Sequence, residues 1–177
     1  MKLEKLLWSW TKVDILKYLI FKRQWVSIRA LESELEWSFP AIKKQVDLLL
    51  EAWVIKIDKS NSKWAIYFDE SISSLVRKIF LFSLEQDLKL LFETYDTSVE
   101  RYFLWKVFGI ALDIDLVIIY KSLERPMVDK IKEEISDIFK DYFIDMVNVV
   151  FMTSDDFQRR YRLADKFVLN LMRVCWP

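Results

Sequence analysis

Histidine is absent from this chain of 177 residues, glycine and cysteine occur once each, and proline three times. Without histidine, and with Cys175 alone, the usual zinc ligand sets are missing and no disulfide closes within the chain. A reducing, cytoplasmic setting is the expectation. An average protein of this length carries roughly a dozen glycines, so the lone Gly109 is expected where a Cβ would not fit. No uncharged apolar run approaches the ~18 residues that span a bilayer, so no membrane partner is expected. Glu4 and Lys5 precede only a short apolar stretch, which is not the form of a signal peptide. Net charge is missing too: 27 basic side chains balance 27 acidic ones, so no global field announces a nucleic-acid or membrane partner. Repeats and low-complexity tracts are also lacking.

What the chain does have is apolar mass, 53% of residues with 16% aromatic, enough to bury a solid core and to exclude disorder. Most of its eight tryptophans are expected in cores, with any exposed remainder favouring association. Abundant Lys and Glu with few Asn and Gln resemble thermophile composition.

The first third alternates short helical patterns. Thr11-Lys12-Val13-Asp14 has the form of a capping box, followed by a stripe of Val13, Leu16, Leu19 and Ile20. A second helix is expected over Ile28 to Glu34, with Leu31 and Leu35 inward. Ser38 is suited to cap a third helix to Ala52, with Pro40 in its first turn, where a missing N–H costs nothing. Ile42, Val46, Leu49 and Trp53 recur at intervals of three and four, so one face is expected in the core while Lys43, Lys44 and Asp47 face away. Val54 to Ile57 and Trp64 to Phe68 read as strands joined by the turn residues 58–63.

Three helices followed by a hairpin, from Thr11 to Phe68, resemble the winged helix-turn-helix family, with Trp53 where many members have glycine. The resemblance implies double-stranded DNA binding, with the third helix in the major groove and the wing on the backbone. The residues so implicated are Arg29, Ser38, Phe39, Ala41, Lys43, Lys44 and Gln45, with Lys59 and Lys63 on the wing. The lysines would release counterions, Arg29 would meet phosphate, and Gln45, if outward, would read adenine edges. Glu32, Glu34, Glu36 and Asp47 lie close in sequence and oppose a duplex.

Ser71 to about Tyr95 is a long helical segment whose middle, Ile79-Phe80-Leu81-Phe82, is apolar nearly all round. Such a helix is expected to be buried between two domains or two subunits. Beyond it the patterns give a strand over Arg101 to Phe108, a strand over Leu112 to Tyr120, and a helix from Pro126 to about Asp141. A strand over Ile144 to Met152 follows, and then a helix capped by Ser154 that continues through Leu171. Arg159, Arg160 and Arg162 form the one basic cluster of this half. The fold class is α+β, with an N-terminal domain over 1–70, a linker helix over 71–95 and a small mixed-sheet domain over 96–177.

Asp113 and Asp115 alternate with apolar residues on the second of these strands, so both carboxylates share one face, about 7 Å apart. Two like charges so placed repel unless a cation or water relieves them, and Mg²⁺ is commonly held by one or two carboxylates together with substrate phosphates. The competing reading is a solvated strand edge with Gly109 in a tight hairpin turn.

Phe108-Gly109 followed by Asp113-Ile114-Asp115-Leu116 resembles the minimal nucleotidyltransferase pattern, and Val147-Asn148 with Asp155-Asp156-Phe157 echoes archaeal and bacterial proteins that join a winged helix to such a domain. The resemblance implies Gly109 at a nucleoside triphosphate and Asp113 and Asp115 as Mg²⁺ ligands and catalytic carboxylates. A third acid is expected on the next strand, where Asp145 and Asn148 are the candidates. The chain also departs from the pattern. Ile110 replaces the family's serine, and only Ala111 and Leu112 remain of the phosphate-cradling turn. The expectation is therefore a homodimeric DNA-binding transcriptional regulator, needing no cofactor, whose second domain is a scaffold or ligand sensor. The rivals are an active Mg²⁺-dependent nucleotidyltransferase acting on a protein or RNA, as antitoxin members of that family do, and a protein-interaction module.

Overall fold

The computed structural model describes residues 9–59, 64–104 and 116–175, arranged as two compact units divided after Leu84. The architecture is α+β, predominantly helical with two small sheets.

In the first unit, α1 (Trp10–Lys17) runs directly into a π-helical turn, Tyr18–Lys22, closed by the Arg23 amide donating to the Tyr18 carbonyl at 3.0 Å. The wider turn puts Tyr18, Leu19 and Phe21 all in the core. The capping-box expectation is corrected here. Ser9 is the N-cap, its hydroxyl accepting from the Lys12 amide at 3.3 Å, and Thr11 is buried within the first turn. Asp14 does not reach back either; its carboxylate accepts from the Trp37 indole at 2.9 Å.

Helices α2 (Ile28–Leu35) and α3 (Phe39–Glu51) follow, with α1 and α2 both packed on α3. Leu31 and Leu35 of α2 and Ile42, Val46 and Leu49 of α3 are buried as their spacing requires. Trp53 is not: it is 76% exposed, with a left-handed φ of 58°. Its position explains this, because the helix has already ended. The Trp53 amide donates to the Leu50 carbonyl and the Val54 amide to Leu49, a glycine-type helix stop built on tryptophan.

Strands β1 (Ile55–Asp58) and β2 (Ala65–Phe68) pair antiparallel, Ile55 opposite Phe68 and Ile57 opposite Ile66. Val26, between α1 and α2, adds a bridge to Ile66 through two backbone hydrogen bonds of 3.1 and 2.8 Å, a third strand-like contact that no sequence pattern announced. Helix α4 (Glu70–Glu93) contributes Phe80 and Leu84 to this unit, with Phe80 edge-on to Phe21 at 6.4 Å. Phe82, two residues on, is 51% exposed in the single chain, because residues two apart on a helix point to different sides.

The second unit holds the end of α4 and a mixed three-stranded sheet of β3 (Val99–Leu104), β4 (Leu116–Tyr120) and β5 (Val149–Thr153), in that order. β3 is antiparallel to β4, and β5 is parallel to it after the crossover helix α5 (Arg125–Lys140). On one sheet face Phe103, Val117, Ile119 and Met152 pack with Phe157, Val168 and Leu171 of α6 (Ser154–Arg162) and α7 (Lys166–Cys175). On the other, Tyr102 stacks on Phe92 of α4 at 4.4 Å, and Lys132 of α5 lies over Phe151 at 5.6 Å.

Three expectations for this unit change. β5 begins at Val149 rather than Ile144, because residues 140–144 close the end of α5: the Ile144 amide donates back to the Phe139 carbonyl. The cap of α6 is Thr153, accepting from the Asp156 amide at 3.1 Å, while the Ser154 hydroxyl contacts Glu100 at 2.6 Å. The final helix is broken into two, with Ala164 at φ 53° between α6 and α7. Asp165 restarts it, its carboxylate accepting from the Phe167 and Val168 amides.

Candidate nucleic-acid interface

The surface that sequence singled out for nucleic acid is carried by α2, α3 and the β1–β2 hairpin. Ser27 caps α2 by accepting from the Ala30 amide at 3.2 Å, which leaves Arg29 exposed in the first turn. Glu36 ends α2 in the left-handed conformation, φ 55°. Ser38 takes N-cap geometry at φ −63°, ψ 145°, without a side-chain cap bond, and Pro40 lies in the first turn of α3. The Ser38 hydroxyl is thus not committed to the helix it starts. Ile42, Val46 and Leu49 hold α3 to the core, and the same periodicity turns Lys43, Lys44 and Asp47 to solvent.

Gln45 was expected to read adenine edges only if it faced outward. It is half-buried, and its side-chain oxygen is enclosed with no hydrogen-bond partner among the described residues. An enclosed acceptor of this kind is not displayed to a base edge. Lys59, at the end of β1, is exposed and places its ammonium 4.8 Å from the ring centre of exposed Trp64. Lys63 lies outside the described residues.

The opposing acids are not equivalent. Glu34 is matched by Lys22 at 3.4 Å and Glu32 is half-buried, while Glu36 and Asp47 stand exposed. Below the hairpin, Lys56 and Asp69 form an ion pair at 2.6 Å. The lysine, together with the Ser71 hydroxyl and amide, pulls the Asp69 carboxyl down to about 2. Sequence reasoning missed a further feature, the exposed Trp25 ring stacked on Tyr67 at 4.1 Å and 13°. No local pattern marks it, since Trp25 and Tyr67 are distant in sequence.

The second candidate site, Gly109 with Asp113 and Asp115, lies outside the described residues. Its surroundings are described in part. The Leu116 amide donates to the Asn148 carbonyl at 3.2 Å, which sets Asn148 beside the start of β4, whereas Asp145 is exposed in the segment before β5. Asn148 is thus joined to the start of β4 through its backbone carbonyl.

Elsewhere in this unit, a surface cavity of about 380 Å³ is lined by Lys89, Phe92, Glu93, Asp96, Glu100, Arg101 and Tyr102. Its charges are largely matched in its own wall, Lys89 with Glu93 at 3.8 Å and Arg101 with Glu100 at 3.3 Å. The Ser154 hydroxyl, ahead of Arg101, keeps the Glu100 carboxyl below its ordinary value. Desolvation, and then the Glu134 carboxylate 2.7 Å away, push the Tyr95 hydroxyl up to about 12, so it stays a donor at any physiological pH. Two of the three clustered arginines are similarly engaged: Asp156 pairs with Arg159 at 2.5 Å and Arg160 at 2.9 Å.

No helix among the described residues is long and apolar enough to cross a membrane. No protein-family model matches the chain, and comparison with curated proteins and with solved structures finds no match.

Proposed function

We propose that this chain binds double-stranded DNA as a homodimer and acts in transcriptional regulation, with its first unit a winged helix-turn-helix. In this reading α3 enters the major groove, Arg29 and Ser38 meet phosphates, and the hairpin bearing Lys59 and Lys63 is the wing. The observation that carries it is the orientation of α3: Lys43 and Lys44 face solvent on a helix fixed to the core by Ile42, Val46 and Leu49. The order of helices, the Val26 bridge and the hairpin supports the same assignment.

The test is duplex binding followed by fluorescence anisotropy at low salt. Replacing both Lys43 and Lys44 with alanine is expected to weaken binding to every duplex alike, since ammonium–phosphate contacts carry no sequence information. Unchanged affinity in the double variant would contradict the reading.

The second unit is, on this account, a nucleotidyltransferase-like scaffold or ligand sensor. The mixed sheet, with Asn148 joined to β4 through its backbone carbonyl, favours a domain of that shape, and the short stretch between Gly109 and Asp113 in the sequence favours one without transfer activity. Thermal unfolding with Mg²⁺ and each nucleoside triphosphate distinguishes a sensor or enzyme from a scaffold. A ligand at a hundred times its Kd adds about 2.7 kcal/mol. A shift lost on Asp113→Asn, Asp115→Asn substitution would mark a nucleotide site, and label transfer to a protein or RNA would then identify an enzyme. No shift with any nucleotide identifies a scaffold.

A further inference from the structure

The small sheet of the first unit carries two exposed tryptophans that its core does not use. Trp25 is 54% exposed and Trp64 55%. Trp25 precedes the Val26 bridge to β2, and its indole lies on the Tyr67 ring with centres 4.1 Å apart and planes 13° from parallel. Tyr67 alternates with Ile66 and Phe68, which are buried, so the stack stands on the outer face of the sheet. The backbone beneath it is strained: Trp25 has a left-handed φ of 61°, against which a Cβ works. Tyr67 covers one face of the indole, and more than half of the residue stays open.

We infer that the open indole of Trp25 stacks an unpaired nucleobase, so that the chain binds DNA in which a single strand runs on from the duplex. The surroundings choose this occupant. Lys22, Arg23 and Gln24, which precede Trp25, are all exposed, so the apolar surface here has the size of one ring system and a polar, cationic border. A protein partner buries a wider patch, whereas a base needs one flat face and a cation for its phosphate. Arg23, two residues from the indole, supplies that cation. The nearby acids are engaged: Glu34 pairs with Lys22, and Asp69 with Lys56, which lies across the ladder from Tyr67. Asp58, further along the same face, also holds an interaction within the chain. Ring and cation meet again at the end of the hairpin, where the Lys59 ammonium lies 4.8 Å from the centre of Trp64. Such a stack reads no sequence, because every base has a flat face. The inference rests on the duplex reading of α3 and adds an unpaired strand to it.

The test measures, by fluorescence anisotropy with the full chain, the affinity for a blunt duplex and for the same duplex bearing a short thymidine extension at its 5′ or its 3′ end. One of the extensions is expected to tighten binding about tenfold, roughly the worth of one stacked base. Lengthening the duplex by as many base pairs is expected to give less, which separates stacking from added phosphate charge. Trp25→Ala is expected to lose the gain, with binding to the blunt duplex showing that the variant is folded. Trp25→Phe is expected to keep most of the gain while losing the extra quenching of tryptophan emission that the extension causes in the wild type. No gain with either extension, or a gain that survives in Trp25→Ala, would overturn this inference and leave the duplex reading standing. Binding to none of these DNAs would overturn both.

Discussion

With one glycine in the chain, left-handed backbone falls to residues that pay for it. Trp53, Phe143 and Ala164 each follow a helix at φ between 53° and 59° and complete the same pair of backbone hydrogen bonds. The bonds satisfy the last carbonyls, while the Cβ works against the conformation, at about 1 kcal/mol per residue. Ala164→Gly is therefore expected to stabilise the fold by up to about 1 kcal/mol, less what glycine adds to the freedom of the unfolded chain. Urea denaturation checks it, and a destabilised variant would show that the position carries no strain. A second residue-scale prediction concerns acid. Asp69 has its folded pKa lowered to about 2, against an ordinary carboxylate near 3.9. Its contribution is thus present above the unfolded value and lost as pH falls from about 5 toward 2. Asp69→Asn is expected to flatten that part of the stability–pH curve, and an unchanged acid limb would place the sensitivity elsewhere.

Elements were legible where one period dominated. The spacing in α3 gave both its buried face and the outward lysines, and Ser38 with Pro40 gave its start, because capping and φ restrictions are local. Gln45 was not legible, since its position falls between the core and solvent faces and only packing decides which side receives its amide. The break between α6 and α7 was hidden for a related reason: without a glycine at residue 164, the apolar period runs through the stop unmarked. Leu48 and Leu49 of α3 make the distinction quantitative. Leu49 is buried and Leu48 is 41% exposed, so Leu49→Ala is expected to cost about 2–5 kcal/mol and Leu48→Ala about 0.5 or less. Equal costs in urea denaturation would mean that α3 turns a different face to the core.

At the scale of the molecule, the α+β class, the hairpin and the mixed sheet follow from the order of short periodic segments, while the Val26 bridge depends on contacts distant in sequence. Composition gave the least guidance to function, because a neutral chain can still present lysines on one helix. The central claim is that α3 and the wing meet DNA phosphates, and the most direct measurement is the affinity for a duplex as a function of salt. Counterion release predicts that log K falls linearly with log salt, and that replacing Lys43 and Lys44 with alanine reduces the slope by about 2, roughly one for each ammonium removed from a phosphate. Binding insensitive to salt, or a slope unchanged in the double variant, would contradict the account.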